Sequence, residues 1–192
     1  MNEHPVIPLN EAPGSRASWS KPAVVVYCWA LAEILFVTNP FQVSSRLRVA
    51  VLRVFGAKIG SGVIFRPRTR VLYPWKLKIG DDCWIGDNVW IHNQDQVTVG
   101  HDVVISQGTF ITTGSHSHRS DMGLVTRPII IAPGVWLTSR TIVLGGSIIG
   151  RNALITPGAV VAGQVPAQSK FGPDPSTVQG SRYNSSSRKK EA

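Results

Sequence analysis

The chain has 192 residues, and its 20 Lys and Arg residues against 11 Asp and Glu residues give a formal net charge of +9. Its two cysteines, Cys28 and Cys83, lie far apart, which argues against a disulfide framework or a zinc site and indicates a reducing, cytoplasmic compartment. No base-reading module is recognisable and aromatic residues do not interleave with the cations, so nucleic acid is not an expected partner. Anionic membrane surfaces or phosphate-bearing substrates are favoured instead.

Two segments precede any repeat. Residues 1–21 are rich in Pro, Gly, Ser and Asn, which predicts an extended arm and provides no apolar core for a cleavable signal peptide. Residues 22–58 predict a helical cap region, and its first part, 22–38, is almost wholly apolar apart from Glu33. That part is marginal in length for crossing a bilayer, so a helix docked on the solenoid flank or at a subunit contact is favoured over a transmembrane span.

The second part of the cap region, SSRLRVAVLRVFGAKIG at 44–60, predicts a basic amphipathic helix. Ser44 or Ser45 can cap its N-terminus, and Gly56 can end it. Such a helix either covers the open end of a core or lies on an anionic membrane. Peripheral association with the inner face of the membrane is therefore a further expectation, with about 1 kcal/mol from each basic residue between 46 and 70.

A six-residue period governs residues 59–166. Units such as IGDDCW at 79–84 and IAPGVW at 131–136 each open with an aliphatic residue, and such residues recur in unbroken phase at 131, 137, 143, 149, 155 and 161. The period matches neither a half-buried strand, which repeats every two residues, nor an amphipathic helix, which repeats every 3.6. It predicts an all-β solenoid whose leading aliphatic side chains share one core.

The phase breaks twice. Two extra residues enter around 94–96, and twenty residues separate Ile111 from Ile131. The second break contains the polar stretch TTGSHSHRSDMGLVTRP, which a solenoid coil cannot bury, so an extruded loop is expected at 112–128. Residues 167–192 leave the repeat through closely spaced Pro and Gly and are expected to form a C-terminal extension with a frayed basic tail.

These units resemble the hexapeptide-repeat acyltransferases. The run YPWKLKIGDDCWIG, followed by TTGSHSH and RPIIIAPGVWL, is most similar to the colanic acid biosynthesis acetyltransferases, relatives of the galactoside, maltose and nodulation acetyltransferases. The resemblance implies a left-handed parallel β-helix, acetyl-CoA as donor and a sugar hydroxyl of a polysaccharide or its precursor as acceptor. It also implies a homotrimer with active sites between subunits, and apolar coil faces bearing Trp84, Trp90 and Trp136 would suit packing against a neighbour.

The resemblance also implies a general base. TGSH at 113–116 matches the catalytic segment of the family and places His116 in that role, with His118 as runner-up. Imidazole is suited to taking a hydroxyl proton near neutral pH. Asn93 matches an asparagine that binds the acceptor, and a structural turn asparagine is an equal alternative.

The donor site is implied in the same way. The backbone N–H of Ser139 would serve the oxyanion of the thioester carbonyl, and the pantetheine groove would be lined by Pro157, Ala162 and Gly163. Where the family has a GNPAKVI-like segment, this chain has PDPSTVQ at 173–179. Because Thr177 stands where a basic residue is usual, the contacts to CoA phosphates are expected from Lys170 or Arg182.

Other functions fit parts of the pattern. A small-molecule or xenobiotic acetyltransferase could use the same scaffold and motif. A γ-type carbonic anhydrase needs three histidines on zinc across a subunit contact, and the closely spaced His116 and His118 do not match that spread, so no metal is expected. A non-catalytic, membrane-docking solenoid is the remaining alternative.

Overall fold

The structure, a computed structural model, describes residues 6–173 and 176. Short parallel strands, numbered in chain order, wind into about six coils whose three sheets form the faces of a triangular prism. Face A contains β1 (Lys58–Ile59), β4 (Leu77–Ile79), β7 (Val97–Val99), β12 (Ile129–Ile131), β15 (Ile148–Ile149) and β18 (Gln164–Val165). The predicted all-β solenoid with a helical N-terminal segment is thereby confirmed.

Each coil visits the faces in the order A, B, C. Face B contains β2 (Ile64–Phe65), β5 (Trp84–Ile85), β8 (Val104–Ile105), β13 (Trp136–Leu137), β16 (Leu154–Ile155) and β19 (Lys170–Phe171). Face C contains β3 (Arg70–Val71), β6 (Trp90–His92), β9 (Phe110–Thr112), β14 (Ile142–Leu144) and β17 (Val160–Val161). The coils extend past the expected end at residue 166, because β19 pairs with β16 although the six-residue pattern has faded.

The core consists of columns of leading aliphatic residues that stack from coil to coil. On face B, the register aligns Ile85 with Ile105, Ile105 with Leu137 and Leu137 with Ile155, and all four are fully buried. Each contributes roughly 1.5–3 kcal/mol by burial. The residue that precedes each buried aliphatic residue faces outward, so Trp84 and Trp136 are exposed on face B.

Two helices and a π-helical turn close the first coil. Helix α1 (Ala23–Ala32) runs on into the π-helical turn Glu33–Val37, and α2 (Ser45–Val54) begins where the Ser44 hydroxyl accepts a bond from Leu47 N. Their inward residues cover the end of the core, namely Trp29, Val37, Val49 and Leu52. In the part of the chain that the structure describes, no helix is long and apolar enough to cross a membrane.

Arg48 of α2 was counted among the basic residues between 46 and 70 that could bind an anionic membrane, but its side chain is not at the surface. This side chain is fully buried and donates to the carbonyl oxygens of Val37 at 3.0 Å and Asn39 at 3.4 Å, and also to that of Gln42. A buried guanidinium needs such acceptors, and its planar fork can reach several at once. Arg48 therefore fastens the segment between the helices rather than contributing surface charge.

The N-terminal arm is not extended throughout. It forms two short 3-10 turns, Leu9–Glu11 and Ser15–Trp19, and docks on a third 3-10 turn, Pro74–Lys76. The indole N–H of Trp75 donates to Trp19 O at 2.8 Å. Lys76 Nζ donates to the carbonyl oxygen of Ser18 at 2.5 Å. At the other end, the predicted basic tail lies outside the described residues.

Candidate active site

The extruded loop is an antiparallel hairpin at the corner between faces C and A, between the third and fourth coils. Its strands are β10 (Gly114–His116) and β11 (Leu124–Thr126), and His116 pairs with Leu124 at the outer end. Beyond them the tip is closed by a bond from Ser117 N to Gly123 O at 2.9 Å. The stretch that was too polar to be buried in the core thus forms an ordered hairpin that projects from the coils.

Gly145 explains why the hairpin lies close to the next coil. A β-carbon at this position would lie 2.7 Å from Thr113 O and 3.3 Å from Arg127 O, which are backbone atoms at the base of the hairpin. Such contacts are too short, so only glycine allows the hairpin base to rest on the turn after β14. In the sequence, this constraint is visible only as the Gly pair within VLGGSI.

His116 is exposed, and its ring orientation is set by the tip of the hairpin. Its Nδ1 lies 2.7 Å from the carbonyl oxygen of Met122. A carbonyl oxygen can only accept, so Nδ1 carries the proton in this contact and the neutral imidazole has its lone pair on Nε2. That tautomer is the one required of a base acting through Nε2.

His116 lines an open cleft of about 460 Å³ between the hairpin and the C–A corner. Other residues in the cleft are Thr113, His118, Arg119, Val125, Arg127, Leu144 and Ala162. Arg119 and Arg127 are exposed cations that were not predicted as site residues. The cleft therefore combines a candidate base with positive charge and a small apolar wall.

Asn93 lies at the same C–A corner but is turned inward. It is fully buried, its Oδ1 accepts from Tyr73 N at 3.0 Å, and its Nδ2 donates to Tyr73 O at 2.7 Å. Both polar atoms of the side chain are thus used by one neighbouring backbone residue. This geometry favours a structural role for Asn93. Binding of the acceptor by Asn93 stays a prediction, because both polar atoms of its side chain are bonded to Tyr73.

Ser139 and Pro157 lie at a different corner, between faces B and C, on the fourth and fifth coils. Gly158 N donates to Ser139 O at 3.2 Å, so the two turns stack. The N–H of Ser139 has no acceptor among the residues that the structure describes. Pro157 has no N–H and can offer only its ring and carbonyl oxygen.

A second cleft of about 440 Å³ runs along this B–C corner. It is lined by Thr138, Leu154, Thr156, Pro157, Lys170, Pro173 and Ser176. Lys170 is one of the two cations expected to contact CoA phosphates, and it lies here beside Pro157. Arg182, the other cation, and Thr177 lie outside the described residues.

The predicted site residues therefore divide between two corners of one prism. His116, Asn93, Ala162 and Gly163 belong to the C–A corner, whereas Ser139 and Pro157 belong to the B–C corner. Ala162 shares the cleft with His116, and Gly163 follows it with a φ of 97°. A single chain does not bring His116 and Ser139 into one cleft, because the width of face C separates them.

A third histidine, which was not predicted as a site residue, has unusual surroundings. His92 is half-buried on face C next to Trp90 and Phe110, with ring centroids 5.4 Å and 6.3 Å away. Burial, and then the charge of Arg70, lower the pKa of His92. No three His, Cys, Asp or Glu side chains are grouped as metal ligands within residues 6–173 and 176.

Comparison with known proteins finds acetyltransferases that are similar to this chain. Over 140 residues the chain is 39% identical to the Escherichia coli strain K12 protein named colanic acid biosynthesis acetyltransferase WcaF, covering 72% of this chain and 76% of that protein. Over 133 residues it is 26% identical to the galactoside O-acetyltransferase of the same strain, covering 67% and 64%. No family model matches the sequence.

The fold is shared with solved acetyltransferases. A hexapeptide-repeat acetyltransferase from Vibrio cholerae, solved with acetyl-CoA, superposes with a TM-score of 0.66 at 23% identity, covering 79% of each chain. Similarity at that level of identity concerns the fold alone. Taken together with the closer relative, the six-residue repeat and the hairpin that interrupts it, these findings show that the chain belongs to the hexapeptide-repeat acetyltransferases of the colanic acid biosynthesis type.

Proposed function

We propose that this protein is an acetyl-CoA-dependent O-acetyltransferase that uses His116 as general base and a sugar hydroxyl of a polysaccharide, or of its precursor, as acceptor. The observation that carries the proposal is the 2.7 Å contact from His116 Nδ1 to Met122 O, which leaves the Nε2 lone pair free in an exposed ring at the edge of a cleft. The names of the relatives, for colanic acid and galactoside acetylation, support a sugar acceptor.

The chemistry follows from that tautomer. Nε2 of His116 accepts the proton of the acceptor hydroxyl while the hydroxyl oxygen forms a bond to the thioester carbonyl carbon. The negative charge that develops on the carbonyl oxygen needs a preorganised donor. The N–H of Ser139, which meets no acceptor within residues 6–173 and 176, is suited to this. When the C–S bond breaks, the imidazolium returns the proton to the departing thiolate, so His116 ends the cycle neutral.

The B–C cleft suits the donor. Leu154 and Pro157 offer an apolar wall for a pantetheine chain, and the Lys170 ammonium at the same cleft is suited to a phosphate. Lysine binds phosphate as a point charge. Lys170 can therefore partly replace the basic residue that is usual in the family at the position of Thr177.

We further propose a homotrimer, because it would unite the two corners. The outward residues Trp84 and Trp136 on face B and Ile130 and Ile148 on face A are large, apolar and exposed. In a parallel three-membered ring with the A–B corner at the axis, face A of one subunit packs against face B of the next. The outer edges of these two faces are the C–A and B–C corners, so His116 of one subunit would approach the Ser139 edge of its neighbour.

The proposal is tested by incubating the purified protein with acetyl-CoA and a panel of sugars and oligosaccharides, while free thiol is measured. We expect thiol release above the hydrolysis background with at least one saccharide, and mass spectrometry should show an ester on the product. Turnover confined to non-sugar alcohols or amines would favour the small-molecule acetyltransferase instead. The proposal would be contradicted if the protein failed to bind acetyl-CoA and also failed to turn over with every acceptor.

A further inference from the structure

The end of the prism closed by the helices has an apolar outer surface. Helix α1 and the π-helical turn carry an apolar stripe that is exposed to solvent. Its residues follow helical spacing and are Val24, Tyr27, Leu31 and Ile34, with Leu35 beside them. Only Trp29 of the ten residues of α1 is buried. A helix that is apolar on nearly every side is normally covered, which makes this exposed stripe a candidate contact surface.

The segment between the helices extends this surface. Phe41 and Val43 are 91% and 82% exposed, although the backbone around them is firmly held. Gln42 Nε2 donates to Phe36 O at 2.8 Å, and Asn39 Nδ2 donates to Leu35 O at 3.2 Å. The buried Arg48 described above holds the same segment from beneath, so two large apolar side chains project from an ordered loop.

The segments that form the cap and the first coil are rich in cations and contain one acid, while the next acids, Asp81, Asp82 and Asp87, follow in the turns of the second coil. Between residues 12 and 80 the sequence has eleven Lys and Arg residues and a single acid, Glu33, which accepts a bond from Val71 N. Arg46, Arg66 and Arg68 are exposed. Ser45 Oγ accepts from Phe65 N at 2.8 Å, so the corner carrying Arg66 and Arg68 lies beside the start of α2. Within the described residues, the only close contact between a basic and an acidic side chain joins His101 Nδ1 to Asp102 Oδ2.

We propose that this cap surface, made of the α1 stripe, Phe41, Val43 and the rim of arginines, docks on an anionic lipid bilayer. Apolar side chains beside unpaired cations are the composition that binds the interface of negatively charged membranes. A second copy of the chain is a poor occupant, because two such caps would bring like charges together. The cap also lies at the end of the prism, away from the side faces A and B proposed for the trimer.

The test is sedimentation of the full-length protein with vesicles of phosphatidylcholine alone or mixed with phosphatidylglycerol. We expect binding only to the mixed vesicles, weakened by added salt. The double variant Phe41→Ser/Val43→Ser should bind about tenfold more weakly, and loss of charge in Arg46→Gln/Arg66→Gln should cost about fivefold per residue. The matched controls, Val160→Ser on face C and Arg140→Gln/Arg151→Gln, should bind like the native protein.

A fluorophore on Cys28 gives a second readout, since Cys28 is exposed on α1 whereas Cys83 is buried. Its emission should shift to the blue with mixed vesicles and stay unchanged with phosphatidylcholine. The proposal is overturned if neither vesicle binds, or if cap variants and controls bind equally. It is also overturned if Phe41→Ser/Val43→Ser changes the oligomeric mass, since the cap would then be a subunit interface. All these outcomes are independent of acetyl transfer.

Discussion

His116 and Met122 face each other across the end of the hairpin, where the imidazole Nδ1 lies 2.7 Å from the Met122 carbonyl oxygen. The carbonyl is held by a short turn, in which Asp121 Oδ1 accepts from Gly123 N at 2.9 Å. This N–H is the main reason that the pKa of Asp121 is lowered, so the carboxylate stays ionised in any neutral assay. The base is therefore oriented by the local fold of the hairpin tip.

Asp121 is accordingly a positioning residue. Replacing it with Ala should loosen the turn and lower kcat several-fold with little change in KM, because substrate binding does not need the tautomer of His116. The Asp121→Asn variant keeps an oxygen that can accept from Gly123 N and should recover most of the activity. Steady-state kinetics of the three proteins measure this. Equal losses in both variants, or a loss confined to KM, would contradict the positioning role.

Replacing Asn93 with Ala tests whether this residue is structural or binds the acceptor. In Asn93→Ala, the Tyr73 N–H loses its partner in a buried position, which should cost about 1–3 kcal/mol. The Tyr73 carbonyl oxygen loses the bond from Asn93 Nδ2 but keeps the one from Lys76 N at 3.0 Å. We expect a melting temperature lower by several degrees. An unchanged melting temperature together with a raised KM for the acceptor would instead show that Asn93 binds substrate.

Glu33 provides a pH-dependent test of the cap. Burial is the main cause of the raised pKa of Glu33, while the bond from Val71 N and the charge of Arg70 lower it in part. The folded state thus holds the proton more tightly than the unfolded chain. The free energy of unfolding therefore falls as pH rises from the pKa of Glu33 in the unfolded chain through its raised pKa in the folded state. Glu33→Gln should therefore raise the melting temperature at pH 7, and the gain should shrink at pH values near 4, where the native carboxyl is protonated. A gain independent of pH would show that charge is not the cause.

The proposed trimer is tested at Trp84, which is 59% exposed on face B. Trp84→Glu should leave the core of each subunit intact but place a charge in the contact between faces A and B. Light scattering should then report a monomer, and activity should be lost with the site between subunits. Val160→Glu, on the outward face C, is the matched control and should stay trimeric. A native protein of monomeric mass would contradict both the trimer and the shared site.

The repeat and the extruded loop were predictable because their physical causes are local. Aliphatic residues at every sixth position can be buried together only in a solenoid, and the polar stretch around His116 cannot be buried in a coil. The inward turn of Asn93 and the burial of Arg48 were not predictable, since both depend on backbone groups distant in sequence, such as those of Tyr73 and Val37. Periodicity assigns each residue to a face, but it does not identify which polar side chains a neighbouring coil will use.

The same limit applies to the site. The motif at His116 was visible in the sequence, whereas its partner Met122 depends on how the tip folds. The separation of His116 and Ser139 onto two corners becomes apparent only when the phase of the repeat is counted around the prism. That separation is the physical reason to expect a site shared between subunits.

The most direct test of the account is turnover by His116→Ala beside His118→Ala, with the same saccharide acceptor and saturating acetyl-CoA. Loss of a general base should lower kcat by about 10²–10⁴-fold in His116→Ala. Acetyl-CoA affinity and melting temperature should hardly change, because His116 is exposed and outside the coils. His118→Ala should be far milder. Near-normal turnover in His116→Ala, or a collapse confined to His118→Ala, would contradict the assignment of His116 as the base.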